Sequence, residues 1–507
     1  MRTRVIHLGL IVLVWAVVAL PRLGSGGLTK SEGHRVVPAV EMLATGEWLV
    51  PHMFGQAYLR KPPGGPWVFA GMIELTEDRV LGPRLASAGA FLLLGLGSWW
   101  FARRWFGNAA GLAAGVATLL SPMLWNPARS AELESLNNLF AALAAWTVVE
   151  LATRRACRPT LATLALGGLV AACMLVKGPA GLPAVLGLLI GVAWAGRDWK
   201  MLLTWRAWLG TLIGAAVFAS VWMAIESRVR AWGLEPVRQT PGAFLFEPER
   251  LLDLAAFVPM VFLGALPCSI ACLFPWGRDA KAEADEHGGA AQRRLTMARA
   301  LTLGALAGTL LLLVSGVSNP RYAQPVVATM GPLMGWLAAN VWIGGTFRAH
   351  RVKIARWMTL GGPVGLAGLL IGASAVFAHV IQAGYRATSG EPAGRAAARA
   401  VADRVGTDPA GPVRFLADGV IEARPETLLA FREEAARLGL DARVRWRPGL
   451  AKIAQVDIGD FRNDWLVVRH DGLGDETGPF DQWEIIHSQG VHKFVFEWRR
   501  PLIGPEP

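Results

Sequence analysis

SEGHRVVPAVEMLATGEWLVPHMFGQAYLRKPPGGPW, residues 31–67, is polar at its start, aromatic in its middle and rich in proline and glycine at its end. It belongs to a connector, residues 22–85, between apolar runs at 5–21 and 86–102. Each run is long enough to cross a bilayer as a helix, which takes roughly 17–25 residues. Connectors are mostly short, and one this long has structure or a task of its own. VVPAVEMLATGEW has the spacing of an amphipathic helix ending at Gly46, and PPGGPWVFAGMIEL that of a second helix lying in the membrane interface. Trp48, Phe54, Tyr58 and Trp67 are amphipathic aromatics of the kind expected at headgroup level.

The rest of the chain agrees with a membrane setting. It has 507 residues, 53% of them hydrophobic and 17% charged, against about 25% charged in an ordinary soluble protein. Further apolar runs lie near 109–125, 136–152, 160–176, 178–195, 207–225, 253–273, 299–316, 323–343 and 358–381, about eleven spans in all. The least regular boundary is the Lys177-Gly-Pro break, because irregular backbone at membrane depth needs cover from protein or water. The N-terminal run lacks a small-x-small cleavage site and reads as a retained first helix. GLAAGVATLL and LGALAGTLLLL set small residues at helix-packing intervals, and no phosphate-binding glycine loop is evident.

A net charge of +12 invites a nucleic-acid reading. The basic residues, however, fall in short clusters beside apolar runs, such as Arg103–Arg104, Arg154–Arg155 and Arg348–Arg356. With the N-terminus in the cytoplasm every cluster lands inside, as the positive-inside bias requires. Nucleic acid is therefore not an expected partner. The same count leaves residues 384–507 outside, as a soluble extracytoplasmic α/β domain after a transmembrane domain of residues 1–383. In this tail VRFLADG, ARVRWRP, DWLVVRHDG and VHKFVFEWRR read as strands, and ETLLAFREEAARLGLD as a helix closed by Gly439.

The 31–67 stretch resembles the first external loop of the GT-C superfamily of membrane glycosyltransferases, above all the lipid A aminoarabinose transferases and protein O-mannosyltransferases. The matching positions are Ser31-Glu32, Glu41-Met42-Leu43, Gly46-Glu47-Trp48, Pro51 and Tyr58 through Pro63. ARSAELESLNNLFAALA, LVKGPAG and NPRYAQPVV resemble further segments of the family, so that the likeness runs over roughly residues 1–345. It implies a mainly α fold, a polytopic helical membrane bundle. It also implies inverting transfer of a sugar from a polyprenyl-phosphate donor to a lipid, glycan or protein acceptor on the outer face of the bacterial inner membrane. Many relatives have Asp where this chain has Ser31, and the aminoarabinose transferases have Glu where it has Arg60. A metal bound beside that Glu does not carry over; a divalent metal is left open and no cofactor is named.

Such chemistry needs a base for the acceptor and fixed positive charge for the departing phosphate. Glu32 is the candidate base, although an acidic residue in a first helical turn also serves as a cap. Glu134, with Glu132 beside it, is the candidate second acid; carboxylates at a helix start also simply suit the dipole. Lys61, held in extended chain by Pro62 and Pro63, is the candidate phosphate ligand. Lys177, Arg321 and Tyr322 are candidate donors to the same phosphate, with snorkelling to the membrane surface as the plainer alternative. His34, His52, His470, Asp471, His487 and His492 show no metal spacing, and Cys268 and Cys272, one turn apart, read as packing residues. The rival class is a non-catalytic glycolipid-binding or transport protein, which calls for polar residues in mid-membrane and paired broken helices.

Overall fold

The computed structural model describes residues 2–234, 236–238, 250–276, 289–317, 319–342, 389–405, 413–417, 424–446, 464–470, 483–491 and 494–501. Helix α1 (Arg2–Ala19) leads into two shorter helices of the first connector, α2 (Lys30–Thr45) and α3 (Gly64–Thr76). The bundle continues with α4 (Leu81–Phe106), α5 (Asn108–Leu119), α6 (Pro122–Ala128), α7 (Leu133–Ala152), α8 (Pro159–Lys177), α9 (Leu182–Gly196) and α10 (Trp205–Ala231). It is completed by α11 (Arg250–Gly264), α12 (Cys268–Ala271), α13 (Gly289–Val314), α14 (Gln324–Ala328) and α15 (Gly331–Trp342). Among the described residues, five helical stretches are long and apolar enough to cross a membrane, or up to seven if each bent pair is one span. Helices lie over each of the first ten runs read from the sequence; the run near 358–381 lies outside the described residues.

The break at Lys177-Gly-Pro is a short 3-10 turn, Gly178–Gly181. The chain folds back there, since a Cβ on Gly181 would lie 2.3 Å from Cys173 Sγ. Helix α9 then runs against α13 at backbone contact: a Cβ on Gly191 would lie 2.2 Å from Ala300 O, and one on Gly304 3.0 Å from Leu188 Cα. Without a hydrophobic drive between helices in lipid, such close backbone approach is what small residues permit. Large apolar side chains of α10 and α13, including Leu212, Met223, Leu306 and Leu310, are exposed, as lipid-facing positions should be.

In the first connector α2 ends at Gly46, whose N–H donates to Met42 O. A two-strand hairpin follows, β1 (His52–Met53) and β2 (Gln56–Leu59), and β3 (Val237–Arg238) after α10 extends it in parallel. The aromatics divide. Trp48 is exposed and takes the Trp67 indole N–H on its carbonyl at 2.6 Å, but Phe54 and Tyr58 are buried. They are core residues rather than headgroup anchors, and the Arg432 guanidinium lies 5.7 Å from the Phe54 ring.

The tail contributes α16 (Glu391–Val405), β4 (Val413–Ala417), α17 (Pro425–Arg437), β5 (Ala442–Trp446), β6 (Asp464–His470), β7 (Trp483–Val491) and β8 (Phe494–Pro501). The strands form one mixed sheet in the order β5-β4-β6-β8-β7. β4 is parallel to both neighbours, with α17 as the crossover to β5, and β6, β8 and β7 are antiparallel. The segment read as a single strand, 491–500, is the end of β7 and most of β8. Strand β7 and helix α16 are additions to the sequence reading.

The tail docks on the first connector. Arg432 Nη1 meets Glu41 Oε1 at 2.7 Å, and Arg79 meets both Glu391 and Glu433. Leu28 N donates to Glu391 Oε1 at 3.0 Å, and Ser389 Oγ donates to Leu28 O at 2.7 Å.

Candidate functional site

Glu32 stands in the first turn of α2, where its side chain closes a capping box with Thr29. Four donors occupy its carboxylate. Oε1 accepts from Arg84 Nε at 2.7 Å and Ala131 N at 2.9 Å; Oε2 accepts from Arg84 Nη2 and Thr29 N, both at 2.9 Å. Arg84, fully buried, spends its remaining donors on Leu23 O, Ser25 O and Gly27 O. Burial raises the Glu32 carboxyl, but Arg84 and the two backbone N–H groups more than offset that and hold it below its ordinary range. Glu32, the expected base, is therefore held in a closed setting: its side chain is 1% exposed and each carboxylate oxygen accepts two hydrogen bonds. Glu32 ties α2 to α4 and to the segment that starts α7.

The other candidates do converge. Two glycines make this possible in the PPGGPW motif: a Cβ on Gly64 would lie 2.8 Å from Leu175 O, and one on Gly65 2.2 Å from Leu133 Cδ2. The start of α3 can therefore sit against the end of α8 and the start of α7, which carries Lys61 beside Lys177 and Glu134. Glu134 lies in the first turn of α7 and accepts Lys177 Nζ on Oε1 at 2.7 Å. Arg321 sits in the 3-10 turn Pro320–Ala323, anchored by Asn319 Oδ1 on its backbone N–H. It reaches the same Glu134 oxygen with Nε at 2.8 Å and with Nη2. Arg321 Nη2 also lies 3.4 Å from Glu132 Oε2. Lys177 Nζ is 4.8 Å from the centroid of the Tyr322 ring. Lys177 is thus turned inward to a buried partner and does not snorkel.

Arg35, one turn after Ser31 on α2, faces the same cluster and acts electrostatically on Lys61, Glu132 and Glu134. Burial, with Arg35, Lys177 and Arg321 around it, pushes the Lys61 ammonium down to about 8, Glu134 acting against the shift. Burial, with the Glu134 charge beside it, pushes the Glu132 carboxyl up to about 7, while Arg35, Arg321 and a hydrogen bond from Ser31 oppose that rise. Four cations, Arg35, Lys61, Lys177 and Arg321, face two carboxylates, so the cluster holds an excess of positive charge. Glu134 Oε2, Asn137 Nδ2 and Asn138 Oδ1, all buried, carry no hydrogen bond. Such atoms within a polar network are where a ligand or water is expected.

The sequence reading missed Arg35 and the contact of Ser31 with Glu132. The only available signal was the four-residue spacing of Ser31 and Arg35, which puts both on one helix face. His34 lies against the Tyr58 hydroxyl and His52 against Trp232. Among the described residues, no group of three His, Cys, Asp or Glu side chains is placed to hold a metal ion.

A family model described as dolichyl-phosphate-mannose-protein mannosyltransferase matches residues 60–223. An undecaprenyl phosphate-alpha-4-amino-4-deoxy-L-arabinose arabinosyl transferase of Pseudomonas fluorescens is 33% identical over 96 residues, covering 19% of this chain and 14% of that protein. The transferase of the same name from Aeromonas hydrophila is 42% identical over 62 residues, covering 12% and 11%. The chain thus spans only a small part of the length of these relatives. In fold the agreement is nearly end to end. The apo crystal structure of ArnT from Cupriavidus metallidurans is 18% identical, with a TM-score of 0.60 and 99% of both chains covered. The oligosaccharyltransferase AglB from Archaeoglobus fulgidus, in complex with an inhibitory peptide and a dolichol-phosphate, has a TM-score of 0.51 at 9% identity, covering 91% of this chain and 69% of that one. The family model thus begins late in the first connector and runs through most of the bundle, and the fold is that shared with these two structures.

Proposed function

We propose that the protein is a membrane glycosyltransferase that moves a sugar from a polyprenyl-phosphate-linked donor to a lipid, glycan or protein acceptor at the outer face of the bacterial inner membrane. The observation that carries this reading is the excess of positive charge where α2, α7, α8, the segment before α3 and the Arg321 turn meet. A phosphate is the kind of ligand that such a cluster suits. Lys61, Lys177 and Arg321 hold it, Tyr322 supplies a hydroxyl, and Glu134 fixes Lys177 and Arg321 in place. As the bond from sugar to phosphate breaks, negative charge grows on the leaving oxygen, and fixed cations in a water-poor site stabilise that charge most. The name of one crystal structure of the Cupriavidus metallidurans protein states undecaprenyl phosphate as its ligand, which agrees with this donor class.

The topology supports the assignment of sides. The tail contacts the connector after α1, which supports putting both on one face of the membrane, as an odd number of spans would. In this reading residues 1–383 are the membrane domain, with about eleven spans and the connector 22–85 outside. Residues 384–507 are an extracytoplasmic α/β domain. The test has two arms. Undecaprenyl phosphate should bind the purified protein and bind Arg321→Ala at least tenfold more weakly, since a hydrogen bond to a charged group is worth about 1.5–3 kcal/mol. Mass spectrometry of membrane lipids and envelope glycans, with and without the protein, should show one glycosylated product disappear. No binding, or no change in either pool, ends the proposal.

A further inference from the structure

We propose that Glu132, held by Ser31, is the carboxylate that takes the proton from the acceptor, and that the acceptor is an alcohol hydroxyl. The inference rests on reading the cluster as a transferase centre. Three carboxylates stand near it, and their surroundings differ. Glu32 is closed by four donors, and Glu134 is locked to Lys177 and Arg321. Their side chains are 1% and 3% exposed, against 12% for Glu132. Glu132 is also loosely held: Ser31 hydrogen-bonds its carboxyl, and Arg321 Nη2 stands off at 3.4 Å. Its backbone, by contrast, is fixed, as the N-cap residue of α7 and by Ser87 Oγ donating to its carbonyl at 3.1 Å. A fixed backbone, a carboxylate less enclosed than the other two and a neighbouring cation at the edge of the cluster suit Glu132 to the work of a general base.

The charged groups that face Glu132 are Arg35 from α2, Arg321 from the 3-10 turn and Glu134 from α7; from α4 Ser87 reaches its carbonyl, and Arg84 is paired to the Glu32 that accepts from neighbouring Ala131 N. A carboxyl poised near 7 in this company accepts and releases a proton at neutral pH. The step balances. The acceptor O–H gives its proton to Glu132 and its oxygen forms the bond to the anomeric carbon. The bond from that carbon to the donor phosphate breaks, and its electron pair leaves on the phosphate oxygen beside Lys61, Lys177 and Arg321. A phosphate monoester is already anionic at neutral pH and would need no base, which is why the geometry points to an alcohol.

The test compares wild type, Glu132→Gln and the double variant Ser31→Asp/Glu132→Gln in cells lacking the native gene. It reads the envelope product by mass spectrometry and undecaprenyl phosphate binding on purified protein. Because Ser31 touches Glu132, an Asp at 31 brings a carboxylate to the same place. Expected are a loss of product of at least about 100-fold in Glu132→Gln, in the range general bases contribute, with binding within twofold of wild type. The double variant should recover at least tenfold, on a hydroxyl-linked product. Full transfer by Glu132→Gln overturns the proposal, as does joint loss of transfer and binding, which would leave Glu132 a mere support for Arg321. A double variant no better than Glu132→Gln, or a phosphate-linked product, also overturns it. Wild type that neither binds undecaprenyl phosphate nor makes a product would instead remove the transferase reading beneath it.

Discussion

Helix α7 carries a buried carboxylate near each end, and the two are built differently. At its end, Glu150 Oε2 accepts Arg104 Nε at 2.9 Å and Oε1 accepts the Trp105 indole N–H at 2.9 Å, so each oxygen has one partner. Arg155 lies 4.1 Å from the Trp105 ring and covers the pair. At its start, Glu134 takes Lys177 and Arg321 on one oxygen and leaves the other bare, with Lys61 and Arg35 adding positive charge beside it. A closed pair holds helices together; an open one with surplus charge anticipates a ligand. Charge alone does not tell the two apart in the sequence, where both are a Glu on an apolar helix with arginines elsewhere.

The largest effect should come from opening the ligand end further. Lys61→Ala and Arg321→Ala each remove a group from the growing phosphate charge, and loss of one such donor costs about 100- to 1000-fold in turnover. Protein yield and melting should change less than turnover, because the Arg321 side chain is 39% exposed and Glu134 keeps Lys177 as a partner. Turnover in membranes, measured against yield, checks this; near-normal turnover would make the start of α7 as structural as its end.

Glu32→Gln should act on the fold. It leaves Arg84 buried with half its partnership broken, and breaking a buried pair costs about 3–5 kcal/mol. The expected result is poor accumulation and a lower melting temperature, with turnover per folded molecule close to wild type. A stable Glu32→Gln protein without turnover would return the base role to Glu32.

Acidity gives a smaller and reversible contrast. Glu132 must be ionised to accept a proton, and its carboxyl sits at about 7, so kcat/KM should fall roughly tenfold per pH unit below that. Lys61 must be protonated to hold phosphate and sits at about 8, so kcat/KM should fall again above it. A narrow bell between these limbs is the expected profile, and Lys61→Arg should move the alkaline limb upward. A flat profile from pH 6 to 9 would separate both groups from the chemistry.

What the sequence disclosed follows the same division. Helices over the membrane runs and over the first connector were legible, because long apolar runs and a Gly46 stop act locally. Lys61, Lys177, Glu134, Arg321 and Tyr322 were singled out through the resemblance alone, since they are far apart in the chain and no local pattern joins them. Partnerships were not legible. Nothing local says that Glu32 will be closed by Arg84, or that Ser31 will reach Glu132 across the turn before α7. Phe54 looked like a headgroup anchor because the docking of α17, with Arg432 near its ring, depends on residues almost 400 positions away.

Glu150→Gln is the mildest test, and it isolates the closed end. The isosteric amide keeps an oxygen that can still accept from the Trp105 indole, so that bond survives. The charge opposite Arg104 is lost, but the Arg104 side chain is 27% exposed and can turn to water, which limits the penalty. A partly exposed pair of this kind is worth about 1 kcal/mol or less, against several for Glu32 and Arg84. Turnover should stay within twofold of wild type and the melting temperature should fall by a few degrees at most. A loss of turnover here, some fifteen residues along α7 from Glu134, would mean that the two ends of the helix are coupled and that the closed pair is part of the machinery.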